Sequence, residues 1–474
     1  MSEAGRSPLL DRRLLLGRPP NLPRRPLEPP QIDVNDVQGN VLRGYTYPTA
    51  AYIFLRVDDV ARGKALLARM LSRVTTGAAW EQAPPAAIQV AFTYAGLERM
   101  GVAPEVLATF PEAFREGMAA RAERLGDRGP AAPANWEEGL GTGEAHVLVT
   151  VWAGDNQQLE AVRAELREAG AAAAASTVVN ETRAEALPEG KDHFGFFDGI
   201  AQPAVFGSGV EGRPGDGQPD GRGAWRDVAT GEFLLGYVDE DGDLPEAPAP
   251  PFDRNSTFVV YRKLHTDVAA FRRFVAEQGA RYPGGPEMLA AKIVGRWPDG
   301  TPLAVSPDAP DPSIPQDPAR INDFTYADDP LGFRCPHGSH IRRANPREAE
   351  GFFDGRLSNR HRIVRRGRPY GPALPEGVLE DDGQDRGLVF VCFNADIWRQ
   401  FETIQTLWVD DGDRFGLGRD RDPLIGCGDA TAAKYTVPGR PPFFASPLPR
   451  FVTLRGGEYL FQPSISALRA LAES

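Results

Sequence analysis

Six histidines are spread over 474 residues, and two of them, His337 and His340, share residues 335–347 (CPHGSHIRRANPR) with Cys335. Three chemistries compete for this segment. Zinc wants a fourth nearby ligand and a recognisable pair spacing, and Cys-x-His-x2-His fits no common structural site. An exposed basic loop with two solvated histidines asks for nothing more. An axial haem ligand supplied by one histidine would use the nearby arginines for the propionate carboxylates. The segment alone leaves all three open. Residues 195–199 (GFFDG) place Asp198 between aromatics and glycines. Such an acid is either an Asx-type turn residue or, in an apolar pocket, a group that exchanges protons. Residues 365–371 (RRGRPYG) follow Ile363 and Val364, which puts Arg365 near a strand end, in a solvated basic turn unless something holds it.

The elements that must position these residues form a weak internal repeat. Residues 51–57 (AYIFLRV) read as a strand, after which Asp58 or Asp59 opens a helix carrying Val60, Leu67 and Leu71. Residues 257–263 (TFVVYRK) repeat the pattern, with Thr266 or Asp267 capping a helix that carries Val268, Phe271 and Val275. A second pair of strand–helix units starts at His146 and at Gly387, the latter with Ile397, Phe401, Ile404 and Trp408 at helical spacing. Two units per half, each half ending in a further strand, predict an α+β fold of two ferredoxin-like βαββαβ halves whose antiparallel sheets pack together. The expected organisation is a disordered Pro/Arg-rich tail (1–31), an N-terminal half (32–205), a Gly/Pro/Asp-rich excursion (206–253) anchored near residues 231–237, and a C-terminal half (254–474).

Composition narrows the function. With 65 acidic against 53 basic residues the formal charge is -12, which disfavours nucleic acid and anionic membrane surfaces as partners. Three scattered cysteines make no disulfide framework and fit a reducing, cytoplasmic setting. Arg12-Arg13 precede three leucines, but the apolar run stops at Gly17, so export is not expected; no stretch is long enough for a membrane span. A docking peptide around residues 9–16, binding an assembly, is the alternative to a featureless tail.

Taken together and in order, the three segments resemble the dye-decolorising peroxidase family, marked by a GxxDG motif (195–199), a histidine in a segment like HIRRANPR (from His340) and an arginine before an RxGxPYG-like strand end (Arg365). The likeness runs from residues 36–45 (DVQGNVLRGY) through 387–397, DPLIG at 422–426 and RGGEYLFQPS, and covers roughly residues 32–465. It implies paired ferredoxin-like halves and haem b in the C-terminal half. It further implies His340 on the iron, and Asp198 and Arg365 facing hydrogen peroxide. Asp198 would carry the proton from one peroxide oxygen to the other, which leaves as water, while Arg365 steadies the charge on the departing oxygen. Asp422 is the expected partner of the other His340 nitrogen. Leu388 and Phe390, alternate residues of one strand, would wall the distal pocket. The implied activity is peroxide-dependent oxidation of aromatic dyes or phenols. An aspartate base suits acid conditions, since it stays competent where a histidine is already protonated. A deferrochelatase-like haem-handling protein and an inactive, haem-free scaffold are the rivals. His193 is either a second proton relay or a solvated turn residue, and Trp398, Trp408 and Tyr435 are either electron relays or packing.

Overall fold

Strand β1 (Thr49–Val57) is buried along almost its whole length because it is covered on both faces. Ala51, Ile53 and Leu55 pack into a core beneath helices, whereas Ala50, Tyr52 and Phe54 enter a second core that lies between the two halves of the molecule. Unbroken apolar runs, rather than alternating ones, are what such a strand requires. The computed structural model describes residues 30–172, 174–219, 224–350, 356–426 and 433–474. The docking expectation for residues 9–16 and Cys427 lie outside them.

The N-terminal half continues with α1 (Val60–Leu71), β2 (Ala86–Phe92), β3 (Val147–Ala153), α2 (Asn156–Ala172) and β4 (Ser176–Glu185). The C-terminal half contains β5 (Thr257–Thr266), α3 (Val268–Gly279), α4 (Gly285–Val294), α5 (His340–Ala344), β6 (Val364–Arg365), β7 (Arg368–Tyr370), β8 (Gly387–Asn394) and β9 (Val452–Gln462). These strands form one antiparallel sheet in the order β4-β1-β3-β2-β9-β5-β8-β6, with β7 also on β8. Each half therefore repeats the ferredoxin-like order of fourth, first, third and second strand. The halves join where Phe92 pairs with Phe461, and their facing surfaces meet through Tyr52 and Phe54 against Tyr261, with ring centroids 5.8 and 4.9 Å apart.

An aspartate in each polar break starts the next helical segment. Asp59 accepts the N–H of Arg62, Asp155 that of Gln158, Asp267 that of Ala270 and Asp396 that of Arg399, all at 2.8–2.9 Å. In α1 the buried face is Gly63, Leu66, Leu67 and Met70, so of the expected residues Leu67 is buried while Val60 and Leu71 sit half-exposed at the margin.

The helix expected after β8 is wound differently. Trp398–Glu402 and Ile404–Val409 are π-helical, with Glu402 N–H donating to Ile397 O and Asp410 N–H to Gln405 O. The buried Gln400 amide explains the start of this stretch. Its oxygen takes the N–H groups of Ala395 and Asp396, and its nitrogen donates to the carbonyls of Glu232 and Arg362. The wider turn sets Ile404, Gln405 and Val409 on one cavity wall. Within residues 206–253, Phe233, Leu234 and Leu235 are fully buried, and Leu235 exchanges hydrogen bonds with Asn255 and Ser256.

Helix α4 ends at Gly295, where φ is +103°. A side chain there would collide with Ile341, so the glycine lets α4 and α5 approach closely enough to seat His340.

Candidate active site

A cavity of about 320 Å³ is lined mostly by the C-terminal half and also by the 192–201 loop of the N-terminal one, and Asp198, Arg365, His340, Leu388 and Phe390 all line it. Leu388 and Phe390 stand two apart on β8 and so share a face, opposite Leu264 and Arg262 of β5 in register.

His340 presents its ring to the cavity, with its side chain 27% exposed there. Its Nδ1 lies 2.8 Å from Oδ2 of Asp422, a carboxylate with 0% exposure. Oδ1 of Asp422 accepts the N–H groups of Leu424 and Ile425 at 2.9 and 3.0 Å, so the acid is held by a turn and directed by it. Burial pushes the imidazole pKa down, but the Asp422 carboxylate overrides it and holds the group above its ordinary value. The same burial works against the Asp422 anion, and His340 outweighs it to keep that carboxyl below the usual range. With Nδ1 committed to Asp422, Nε2 is the nitrogen left to bind a metal.

Asp198 ends a loop fixed by Asp198 N–H to Gly190 O at 3.0 Å and Phe197 N–H to Pro298 O at 3.1 Å. Its carboxyl stays exposed to the cavity; among the described residues Oδ1 accepts only the neighbouring Gly199 N–H, at 2.6 Å. Arg365 is paired through its backbone with Cys392, and its N–H donates to Gln202 Oε1 at 3.0 Å. One guanidinium nitrogen, Nη2, is anchored on Ala201 O at 3.0 Å.

Three further arginines, Arg296, Arg347 and Arg362, line the cavity although each is buried. They rest on carbonyls and on Asn322 Oδ1, and among the described residues no carboxylate lies within ion-pair distance of any of them. Burial and then the Arg347 charge lower the pKa of Arg296 to about 9, and burial and then Arg347 lower that of Arg362 to about 10. Buried cations without counter-ions are costly. An apolar cavity with a free imidazole nitrogen at one wall and uncompensated arginines at another fits an iron porphyrin carrying propionates.

The arginines nearest His340 behave otherwise than expected. Arg342 pairs with Asp329 at 3.0 Å and Arg343 donates to the carbonyls of Trp408 and Asp420, so neither faces the cavity; Arg347 does, from a left-handed backbone at φ +52°. His193 is not a solvated turn residue. It is buried and donates from Nε2 to Tyr370 O at 2.8 Å, and burial lowers its pKa. His337 lies off the cavity, and Cys335 is fully buried against Gly295 O; the segment does not converge on a zinc ion. Trp408 is 2% exposed and packs edge-on to His361, and Tyr435 donates to Lys292 O. Trp398, 43% exposed beneath Arg124, is the one of the three that reaches the surface. Sequence reasoning missed Asp192, Arg296, His361 and Arg362, none of which stands in a local pattern that marks it.

Asp422→Asn should preserve the fold, since the amide oxygen still accepts both N–H groups, yet weaken retention of a metal group by about 10–100-fold. Titrating haem loss into an apo-globin acceptor measures this.

Comparison with known proteins bears on this cavity. Residues 36–187 match the DyP dimeric alpha+beta barrel domain, and residues 249–417 match the C-terminal domain of Dyp-type peroxidases. The dye-decolorizing peroxidase msp1 of Mycetinis scorodonius is 31% identical, over 93% of this chain and 88% of its own length. A solved dye-decolorizing peroxidase in complex with 2,6-dimethoxyphenol superposes with a TM-score of 0.79 at 28% identity, covering 93% of this chain and 100% of that one. A deferrochelatase of Yersinia pestis is 39% identical, but over 80 residues, 17% of this chain.

Proposed function

Because the chain belongs to the dye-decolorising peroxidase family, we propose that it binds haem b through His340 and uses hydrogen peroxide to oxidise phenols or aromatic dyes. The observation that carries this reading is the convergence on one cavity of a carboxylate-backed imidazole, an exposed carboxyl and an anchored guanidinium. Haem, when bound, would supply the iron at which peroxide is reduced and would hold the two oxidising equivalents of peroxide until the reductant returns the electrons.

The chain's own residues have separate tasks. Asp422 holds the proton on His340 Nδ1, which fixes the ring and makes Nε2 a stronger donor. The Asp198 carboxylate takes the proton from one peroxide oxygen and returns it to the other, which leaves as water. The free N–H groups of Arg365 hold the negative charge that gathers on the departing oxygen. Leu388 and Phe390 keep water away, which strengthens both interactions. Arg296, Arg347 and Arg362 take the propionates. The unbridged, buried Cys335 and Cys392 fit a reducing compartment such as the cytoplasm.

Peroxide-dependent oxidation of 2,6-dimethoxyphenol by the haem-loaded protein is the expected result. Release of iron with the tetrapyrrole left intact, without peroxide-dependent turnover, would support the haem-handling alternative instead.

A further inference from the structure

A second carboxyl opens on the same cavity. Asp192 stands six residues before Asp198, and the backbone between them is pinned. Asp192 N–H donates to Phe196 O at 2.8 Å, Gly195 N–H to Asp192 O at 3.1 Å, and Phe196 N–H to Asp192 Oδ1 at 2.9 Å. Lys191 pairs with Phe197 across the base of the loop. Both carboxyls are thus carried on one rigid piece of chain.

The charged and titratable groups around Asp192 give its anion no counter-ion. Asp198, on the same loop, has the same sign. Lys191 turns to Glu189, and His193 turns to Tyr370 O. Arg386, behind His193, is tied to Asp382, and Arg365 is anchored on Ala201 O. Among the described residues none forms an ion pair with Asp192.

We propose that Asp192 is a positioning residue of the peroxide site: it keeps its proton on the loop it shares with Asp198, and losing it sets a further negative charge where peroxide must give up a proton. An enclosed carboxyl without a counter-ion resists ionisation. Enclosure, chiefly, and the Asp198 charge push the Asp192 carboxyl up to about 7 against the N–H groups of Phe194, Gly195 and Phe196. The reaction with peroxide therefore slows as pH rises through that value, by at most about tenfold per pH unit for one proton lost. This rests on the peroxidase reading, but the proton itself does not need haem to be seen.

Infrared difference spectra of the full chain, titrated through about pH 7 with and without haem, should show a protonated-carboxyl band disappearing that Asp192→Asn lacks. In stopped-flow mixing with peroxide, Asp192→Asn should lose the neutral decline and keep the rate on its acid side. Asp192→Ser retains an acceptor for the Phe196 N–H without titrating, so it should match Asp192→Asn unless the loop itself has failed. An infrared band unchanged by Asp192→Asn overturns the proposal. So do coincident pH profiles for wild type and both variants. A wild-type band with no uptake of haem leaves the proton on Asp192 in place and sinks the peroxidase reading on which its role depends.

Discussion

His340→Ala is expected to give a folded protein that no longer retains haem through gel filtration, while His337→Ala retains it. Helix α5 does not depend on the imidazole for its place. Arg342 anchors it to Asp329 and to Cys335 O, Arg343 reaches the carbonyls of Trp408 and Asp420, and Ser339 donates to Lys292 O. Removing the ring leaves Asp422 Oδ1 on its two backbone N–H groups, so the loop it organises persists. The variant lacks the imidazole that faces the cavity from that wall. The loss should exceed the about 10–100-fold expected when only the partner of such a ligand is altered. Equal loss in both variants, or loss in His337→Ala alone, would rule out the assignment.

Arg365→Leu should bind haem normally and react with peroxide about 10²–10³-fold more slowly. The strand that carries it is held by backbone contacts with Cys392 and Gln202 that leucine preserves, so the guanidinium is the main thing removed. Asp198→Ala should also slow this step while sparing the cofactor. The arginine is the costlier loss, because a water can stand in for a missing base, whereas Arg296, Arg347 and Arg362 are held in place on carbonyls and on Asn322. Stopped-flow mixing with peroxide alone separates these effects from reductant binding. Unchanged rates in both variants would contradict the roles assigned to them.

The ferredoxin-like halves were legible in the sequence because their signals are local. Each half declares itself by apolar runs that must be buried on both faces and by an aspartate that caps the next helical segment, and Asp59, Asp155, Asp267 and Asp396 all do so. Asp198, Arg365 and His340 were legible as motifs, and Asp422 as the partner that a metal-binding imidazole needs. The arginines were not. Arg342, Arg343 and Arg347 are equivalent on paper, and only the chain reversal after α5, with Arg347 in a left-handed conformation, decides which one meets the cavity. Arg296 comes from a segment far from Asp192 and Asp198 in sequence, so its convergence on them is a property of the tertiary fold, while Asp192 shares the Asp198 loop but stands in no motif. The π-helical winding after β8 escaped the helical spacing of Ile397, Phe401, Ile404 and Trp408, because it is imposed by the buried contacts of Gln400 with Glu232 and Arg362.

The most direct test is the absorption spectrum of the haem-reconstituted wild-type protein on mixing with one equivalent of hydrogen peroxide, before and after a phenol is added. The Soret band should shift on peroxide addition without loss of haem and return when the phenol is supplied. A protein that takes up no haem, or whose band is indifferent to peroxide, would contradict a peroxidase built on His340, Asp198 and Arg365.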